Sequence, residues 1–262
     1  MNVVPVFIAL VWLASASPAL AAADCLAMAE ARPQPVPAKL MSTALEADQV
    51  QLTFIGHSTF LIESPGGLTI ATDYAGYAGG VVPDVVTMNR AHRSHYTDYP
   101  EPGIDFVLRG WNSEGGPAKH DLQVKDVRIR NVTTDIRGGY IGRVPDGNSI
   151  FIFELSGLCI GHLGHLHHEL TPEHIGWIGR LDVVLVPVDG AYTMAQANMI
   201  NVLKDLKARL VIPMHYFGPA TLGRFIEGAR ADFEIEISTS PVAVVSASSL
   251  PAKPKLLVLP GY

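Results

Sequence analysis

The sequence predicts a layered α/β (α+β) fold, a four-layer αββα sandwich, and three observations carry that expectation. Two β-rich runs are each followed by helical patterns, as two sheets packed between helical layers require. Residues 182–188 are continuously apolar after the first, Asp182, the pattern of a strand buried on both faces. The 262 residues are 48% hydrophobic and 17% charged, a balance suited to one compact domain of about 220–240 residues.

Residues 1–22 read as an export signal: 3–14 are nearly all apolar, 15–23 are small and Ala-rich, and Ala19-Leu20-Ala21 fits a cleavage site. The apolar run is shorter than a membrane span needs. Residues 23–47, with Pro33, Pro35 and Pro37, read as an N-terminal extension. The remaining 48–262 form the predicted domain, periplasmic or secreted, and free of the membrane once the signal is cut.

Within the domain, strands are expected at 50–55, 59–63 and 68–72, the last two joined by the turn Ser64-Pro65-Gly66-Gly67. Further strands are expected at 84–88, 106–109, 124–131, 149–155 and 158–161. A short helix over 172–178 has Thr171 as its N-cap and Pro172 at its first position. The strand 182–188 is followed by a helix over 193–206 with Thr193 as cap candidate, a strand 210–213 and a helix 220–229.

The formal net charge of -6, with 19 scattered basic residues, excludes the basic footprint of a nucleic-acid binder. The expected partner is a small-molecule substrate or a metal. Cys25 and Cys159 are the only cysteines. An oxidising compartment would permit a bridge, but the run Leu158-Cys159-Ile160 favours reading Cys159 as a buried small hydrophobe.

The ten histidines fall unevenly. His92 and His95 follow one predicted strand, His162, His165, His167 and His168 a second, and His215 a third. Ligands of open sheets bind at the carboxyl ends of strands, and neutral imidazole suits zinc and related ions. No nucleophile elbow, phosphate-binding loop or dinucleotide fingerprint competes.

Several stretches resemble metallo-β-lactamase-fold hydrolases, most closely the UlaG-type lactonase-like branch. They are Gly56-His57-Ser58-Thr59-Phe60-Leu61-Ile62-Glu63 with Asp73; His162-Leu163-Gly164-His165-Leu166 followed by Leu170-Thr171-Pro172-Glu173; and Ile212-Pro213-Met214-His215-Tyr216. The resemblance spans residues 50–217 and implies the sandwich fold. It also implies a metal site, from which this chain departs. Where the family reads His-x-His-x-Asp-His, this chain has Arg90-Ala91-His92-Arg93-Ser94-His95, and the family's bridging Asp falls on His165.

Two cations side by side need carboxylates between them, so the resemblance is better met by one zinc ion held by His92, His95, His165 and His215. Asp73 would orient a ligand, and Arg90 would pair with an anionic substrate group. The expected function is hydrolysis of a small ester, lactone or phosphoester by a mononuclear metal-bound hydroxide. The alternatives are a catalytically decayed scaffold that binds a small molecule or metal, and a metal-handling protein. His57 is expected to orient other groups, His162 to orient its turn, and His167 and His168 to face solvent; Asp189 is expected either to add a carboxylate or to cap a turn.

Overall fold

The computed structural model describes Cys25 and residues 45–261. The expected signal segment, its cleavage site and most of the N-terminal extension lie outside the described residues.

Among the described residues, fourteen strands form two sheets. The first sheet holds β1 (Gln49–Gly56), β2 (Thr59–Glu63), β3 (Thr69–Ala71), β4 (Val85–Met88), β5 (Phe106–Arg109) and β13 (Val242–Ser246), in the order β13-β1-β2-β3-β4-β5. The second contains β6 (Asp121–Val124), β7 (Val127–Arg137), β8 (Arg143–Leu155), β9 (Leu158–His162), β10 (Val183–Pro187), β11 (Leu210–Met214), β12 (Glu234–Ile237) and β14 (Lys255–Val258). Its order is β12-β14-β11-β10-β9-β8-β7-β6. Strands β9 to β11 are mutually parallel, and β6 to β9 run antiparallel.

Alternation divides the apolar side chains between layers, because successive residues of a strand face opposite sides of the sheet. In β10, Val183 and Leu185 enter the core between the sheets, whereas Val184 and Val186 face the helices. Strand β8 does the same, with Phe151 and Phe153 inward and Ile150 and Ile152 outward. The outer core is closed by α1 (Pro172–Ile178), α2 (Gln196–Leu206) and α3 (Pro219–Ala229), through Ile178, Met199, Leu203, Phe225 and their neighbours. The two-sheet α+β sandwich is therefore the predicted one, with its helices on the second sheet. Among the described residues, the outer face of the first sheet is covered by loops, with Tyr74, Ala78, Tyr96 and Trp111 packed over Val86 and Met88.

Two local expectations need correction. Thr193 does not cap α2: the helix begins at Gln196, and the Thr193 hydroxyl bonds Asp189 instead. Nor is Cys159 a free buried hydrophobe. It forms a disulfide with Cys25, 134 residues away, tying the chain upstream of the domain to the helix-facing side of β9. The Arg180 amide donates to the Cys25 carbonyl and fixes the same junction.

Candidate metal centre

Every polar group of the site is delivered by the carboxyl end of a strand. His57 follows β1, Asp73 follows β3, Asn89 and His95 follow β4, His162 and His165 end or follow β9, Asp189 follows β10, and His215 follows β11. Regular pairing stops there, so backbones can turn sharply and aim side chains at one point. His57, Asp73 and His215 sit at φ 50, 43 and 52°, a region that non-glycine residues enter only when surroundings compel it, and which clusters at functional sites.

The expected ligands do come together, and the structure adds one more ring. The His95 ring centroid lies 5.0 Å from His165, 4.9 Å from His215 and 5.0 Å from His57. His92 stands 4.8 Å from His165 and 6.1 Å from His95, but is exposed at the rim. The tightest set of ligand atoms belongs to His57, His95 and His215, all within 4.8 Å of one another. His57, expected only to orient other groups, thus joins His95 and His215 ahead of His92 and His165.

Hydrogen bonds show which nitrogens are free. Asp73 Oδ2 accepts from His95 Nδ1 at 2.6 Å, and Asn89 donates to Asp73 Oδ1 at 2.9 Å. Burial would raise the Asp73 pKa, but His162, His95 and these hydrogen bonds hold it below the usual carboxylate range. With a proton on Nδ1, His95 keeps a lone pair on Nε2. Asp189 Oδ1 lies 3.1 Å from His215 Nδ1; the approach is off the N–H axis, so the attraction is chiefly electrostatic, and it favours the same tautomer. Asp189 also accepts from the amides of Ala191 and Tyr192 and from Thr193. Burial works against its charge, but His215, Thr193 and those amides lower its pKa strongly.

The two carboxylate-backed rings present Nε2 to Nε2 at 3.1 Å. In the metal-free chain one ring can donate Nε2–H to the other; with both rings protonated on Nδ1, the two lone pairs at that distance call for a positive charge between them. One tetrahedral zinc with Zn–N bonds of about 2.0–2.1 Å holds its nitrogens about 3.3 Å apart, so the pair fits a shared cation. His57 Nε2 is buried with no partner, and burial followed by His215 and His95 lowers its pKa to about 4. It stays a neutral donor at ordinary pH. The donor set therefore fits a metal ion, with Asp73 and Asp189 supplying negative charge behind the ligands rather than touching the ion. Carboxylates in that position fix ring orientation and raise ligand basicity.

The remaining residues sort by their contacts. His162 Nε2 donates to the Ser58 carbonyl at 2.9 Å, and its Nδ1 accepts from the Gly164 amide at 3.1 Å; both nitrogens are spent on holding the turn. Gly164 sits at φ 60°, and an added Cβ would fall 2.4 Å from Asn148 Oδ1. His167 is half-buried and reaches His165, contrary to the expected solvent-facing position, and His168 Nε2 accepts from the Asp135 amide. Asp98 and Asp135 pair with Arg93 and Arg143. Arg90 and Ser94 are exposed on the loop. Exposed Tyr192 and Phe217 form an aromatic rim, 5.3 Å apart, with Tyr192 5.8 Å from His92 and Phe217 5.5 Å from His215. Sequence reasoning missed Asn89, Asn148 and Arg137; a polar residue directly after an apolar strand was the one signal available for the first.

Residues 51–215 match the family described as the Beta-lactamase superfamily domain, and the chain belongs to that superfamily. A protein named UPF0173 metal-dependent hydrolase from Ignicoccus hospitalis is 28% identical over 195 residues, covering 64% of this chain and 82% of that one. A protein with the same name from Methanosarcina barkeri is 23% identical over 228 residues, covering 77% and 98%. Among solved structures, a candidate Zn-dependent hydrolase of the metallo-beta-lactamase superfamily from Thermotoga maritima superposes with a TM-score of 0.61 and 28% identity, covering 80% of this chain and 98% of that one.

Proposed function

We propose that this chain is a metal-dependent hydrolase of a small ester, lactone or phosphoester, working with a single ion at His57, His95 and His215. The observation that carries the reading is the pair of Nε2 atoms 3.1 Å apart, each ring backed by a buried carboxylate. The relatives named metal-dependent hydrolases support it. Zinc suits an all-imidazole donor set. One ion suffices because no carboxylate oxygen joins the converging ligand atoms among the described residues, and a bridged pair of cations needs one.

When bound, the ion supplies Lewis acidity toward a carbonyl or phosphoryl oxygen and makes a water acidic enough to act near neutral pH. The chain does the rest. Asp73 and Asp189 hold the His95 and His215 rings in the tautomer that leaves Nε2 free. Tyr192 and Phe217 give the apolar part of a substrate a surface to rest on, and Arg90 stands on the loop where an anionic group could reach it. The Cys25–Cys159 bridge supports export to a periplasmic or extracellular space, since disulfides persist in oxidising compartments.

The test is metal analysis of purified protein, followed by ester, lactone and phosphoester hydrolysis with and without chelator. The expected result is about one equivalent of zinc, chelator-sensitive turnover, and loss of the metal in His95→Ala and His215→Ala. Protein that takes up no divalent metal would overturn the reading. Stoichiometric metal without turnover on any of the three substrate classes would make the chain a binding protein on the same scaffold.

A further inference from the structure

We propose that His165 is not a metal ligand but a fixed hydrogen-bond donor, its proton held on Nε2 by a relay from Arg137 through His167. The relay has a direction that the donors dictate. The backbone amide of Arg137 lies 3.0 Å from His167 Nδ1, and the Arg137 Nε lies 3.1 Å from the same atom. Both groups can only donate, so His167 Nδ1 must be an acceptor and the His167 proton sits on Nε2. That Nε2 faces His165 Nδ1 at 2.5 Å, so His165 Nδ1 accepts in turn. The His165 proton is therefore on Nε2.

His165 Nε2 is buried and has no partner. A buried N–H without a partner is unfavourable, and the ring points among His92, His95 and His215. The group that would satisfy it is an oxygen of a bound carbonyl or phosphoryl compound. A donor fixed in advance at such an oxygen is the usual way a site stabilises charge that develops there. Arg137 and His167 are the positioning residues. Arg137 is itself fastened by its guanidinium to the carbonyls of Ala191, Tyr192 and Thr193. The same side chain thus couples the donor to the loop bearing the Tyr192 rim.

The tautomer does not depend on the proposed hydrolase; only the oxygen that His165 would serve rests on that reading. Nitrogen-15 spectra of the imidazoles separate protonated from bare ring nitrogens, and His165→Gln and His167→Gln difference spectra assign them. In metal-free protein the expected result is a proton on Nε2 of both His165 and His167. Added Zn2+ should shift the bare Nε2 atoms of His95 and His215 while the His165 Nε2–H signal persists. His167→Leu should let a His165 Nδ1–H form appear, whereas His167→Gln, which keeps an N–H donor, should retain the wild-type pattern. His165→Gln should bind Zn2+ within about 3-fold of wild type, where even the loss of a group that only supports a ligand costs about 10–100-fold. A His165 proton on Nδ1 in metal-free protein, disappearance of Nε2–H on adding Zn2+, or unchanged spectra in His167→Leu would each overturn the proposal. Failure of Zn2+ to bind overturns the metal reading alone, and the metal-free spectrum still decides this one.

Discussion

Asp73 shows how a single buried carboxylate governs the site without touching an ion. It has no exposure, its two oxygens are taken by His95 and Asn89, and its charge keeps the His95 proton on Nδ1. Asp73→Asn keeps the shape but can present an N–H where His95 needs an acceptor, so His95 would turn its lone pair away from the centre. Zinc affinity should fall about 10–100-fold with the fold intact, and Asp189→Asn should act in the same direction through His215. Titration calorimetry against Zn2+ checks both, and wild-type affinity in Asp73→Asn would remove the carboxylate from the account. Asp73 was legible in the sequence because it follows a short apolar strand within a resembling motif. His57 was harder. Its position between two hairpin strands suggests a structural turn, and only the left-handed backbone at residue 57 swings the ring toward His215, 4.2 Å away. The hydrogen-bond relay behind His165 could not be read at all, because Arg137 and His167 lie on different strand ends and meet only in the folded chain.

The continuously apolar strand β10 was among the most legible elements, whereas the longest strands, β7 and β8, reach on to Arg137 and back to Arg143, beyond the expected 124–131 and 149–155. Residues 183–187 of β10 carry an apolar side chain toward each core, so their lack of alternation is itself the signal. Strands β12 and β14 pair at the sheet edge, and each is only four residues long, so that even the strict alternation of Glu234–Ile237 is too brief to stand out. Among the joints between elements, one rests on charge. Arg130 of β7 donates to Glu154 of β8 at 2.7 Å and to the carbonyls of Trp177 and Ile178 at the end of α1. Glu154 is only 1% exposed, with Arg128 3.5 Å away as a second cation. Arg130→Met would leave that carboxylate short of its main partner and two helix-end carbonyls without donors. Removing one member of a buried pair costs about 3–5 kcal/mol, and Arg128 should hold the loss near the lower figure. Urea unfolding measures it; a change below about 1 kcal/mol would mean that Arg128 and water replace Arg130 fully.

At the scale of the whole molecule, two features set how stability responds to conditions. The Cys25–Cys159 bridge closes a separation of 134 residues, and in the chain-entropy treatment a loop of that length stabilises by about 5 kcal/mol. Cysteine spacing alone could not reveal it, since residue 25 lies far outside the strand pattern. Dithiothreitol or Cys159→Ser should lower the melting temperature without altering zinc stoichiometry, and an unchanged melting curve would show the bridge to be energetically idle. The second feature is the packing of so many neutral imidazoles in one place. His57 and His167 are held at about 4, in each case by burial first, then by His215 and His95 for the former and Arg137 for the latter. In the unfolded chain the same rings titrate near 6.5. Between those values the unfolded chain binds protons that the folded chain refuses, so the slope of unfolding free energy with pH is positive. Their contribution is complete above about pH 6.5 and is lost progressively as pH falls toward about 4. Asp73 and Asp189, with lowered pKa values, extend the loss in the same direction below the ordinary carboxylate range. In chelator-treated protein the urea midpoint should therefore drop between about pH 7 and about pH 4.5, and replacing His167 with Gln should shrink the drop by removing one of the two rings. Equal midpoints at the two pH values would mean that these imidazoles take up protons in the folded state as easily as in water, which their burial among one another does not allow.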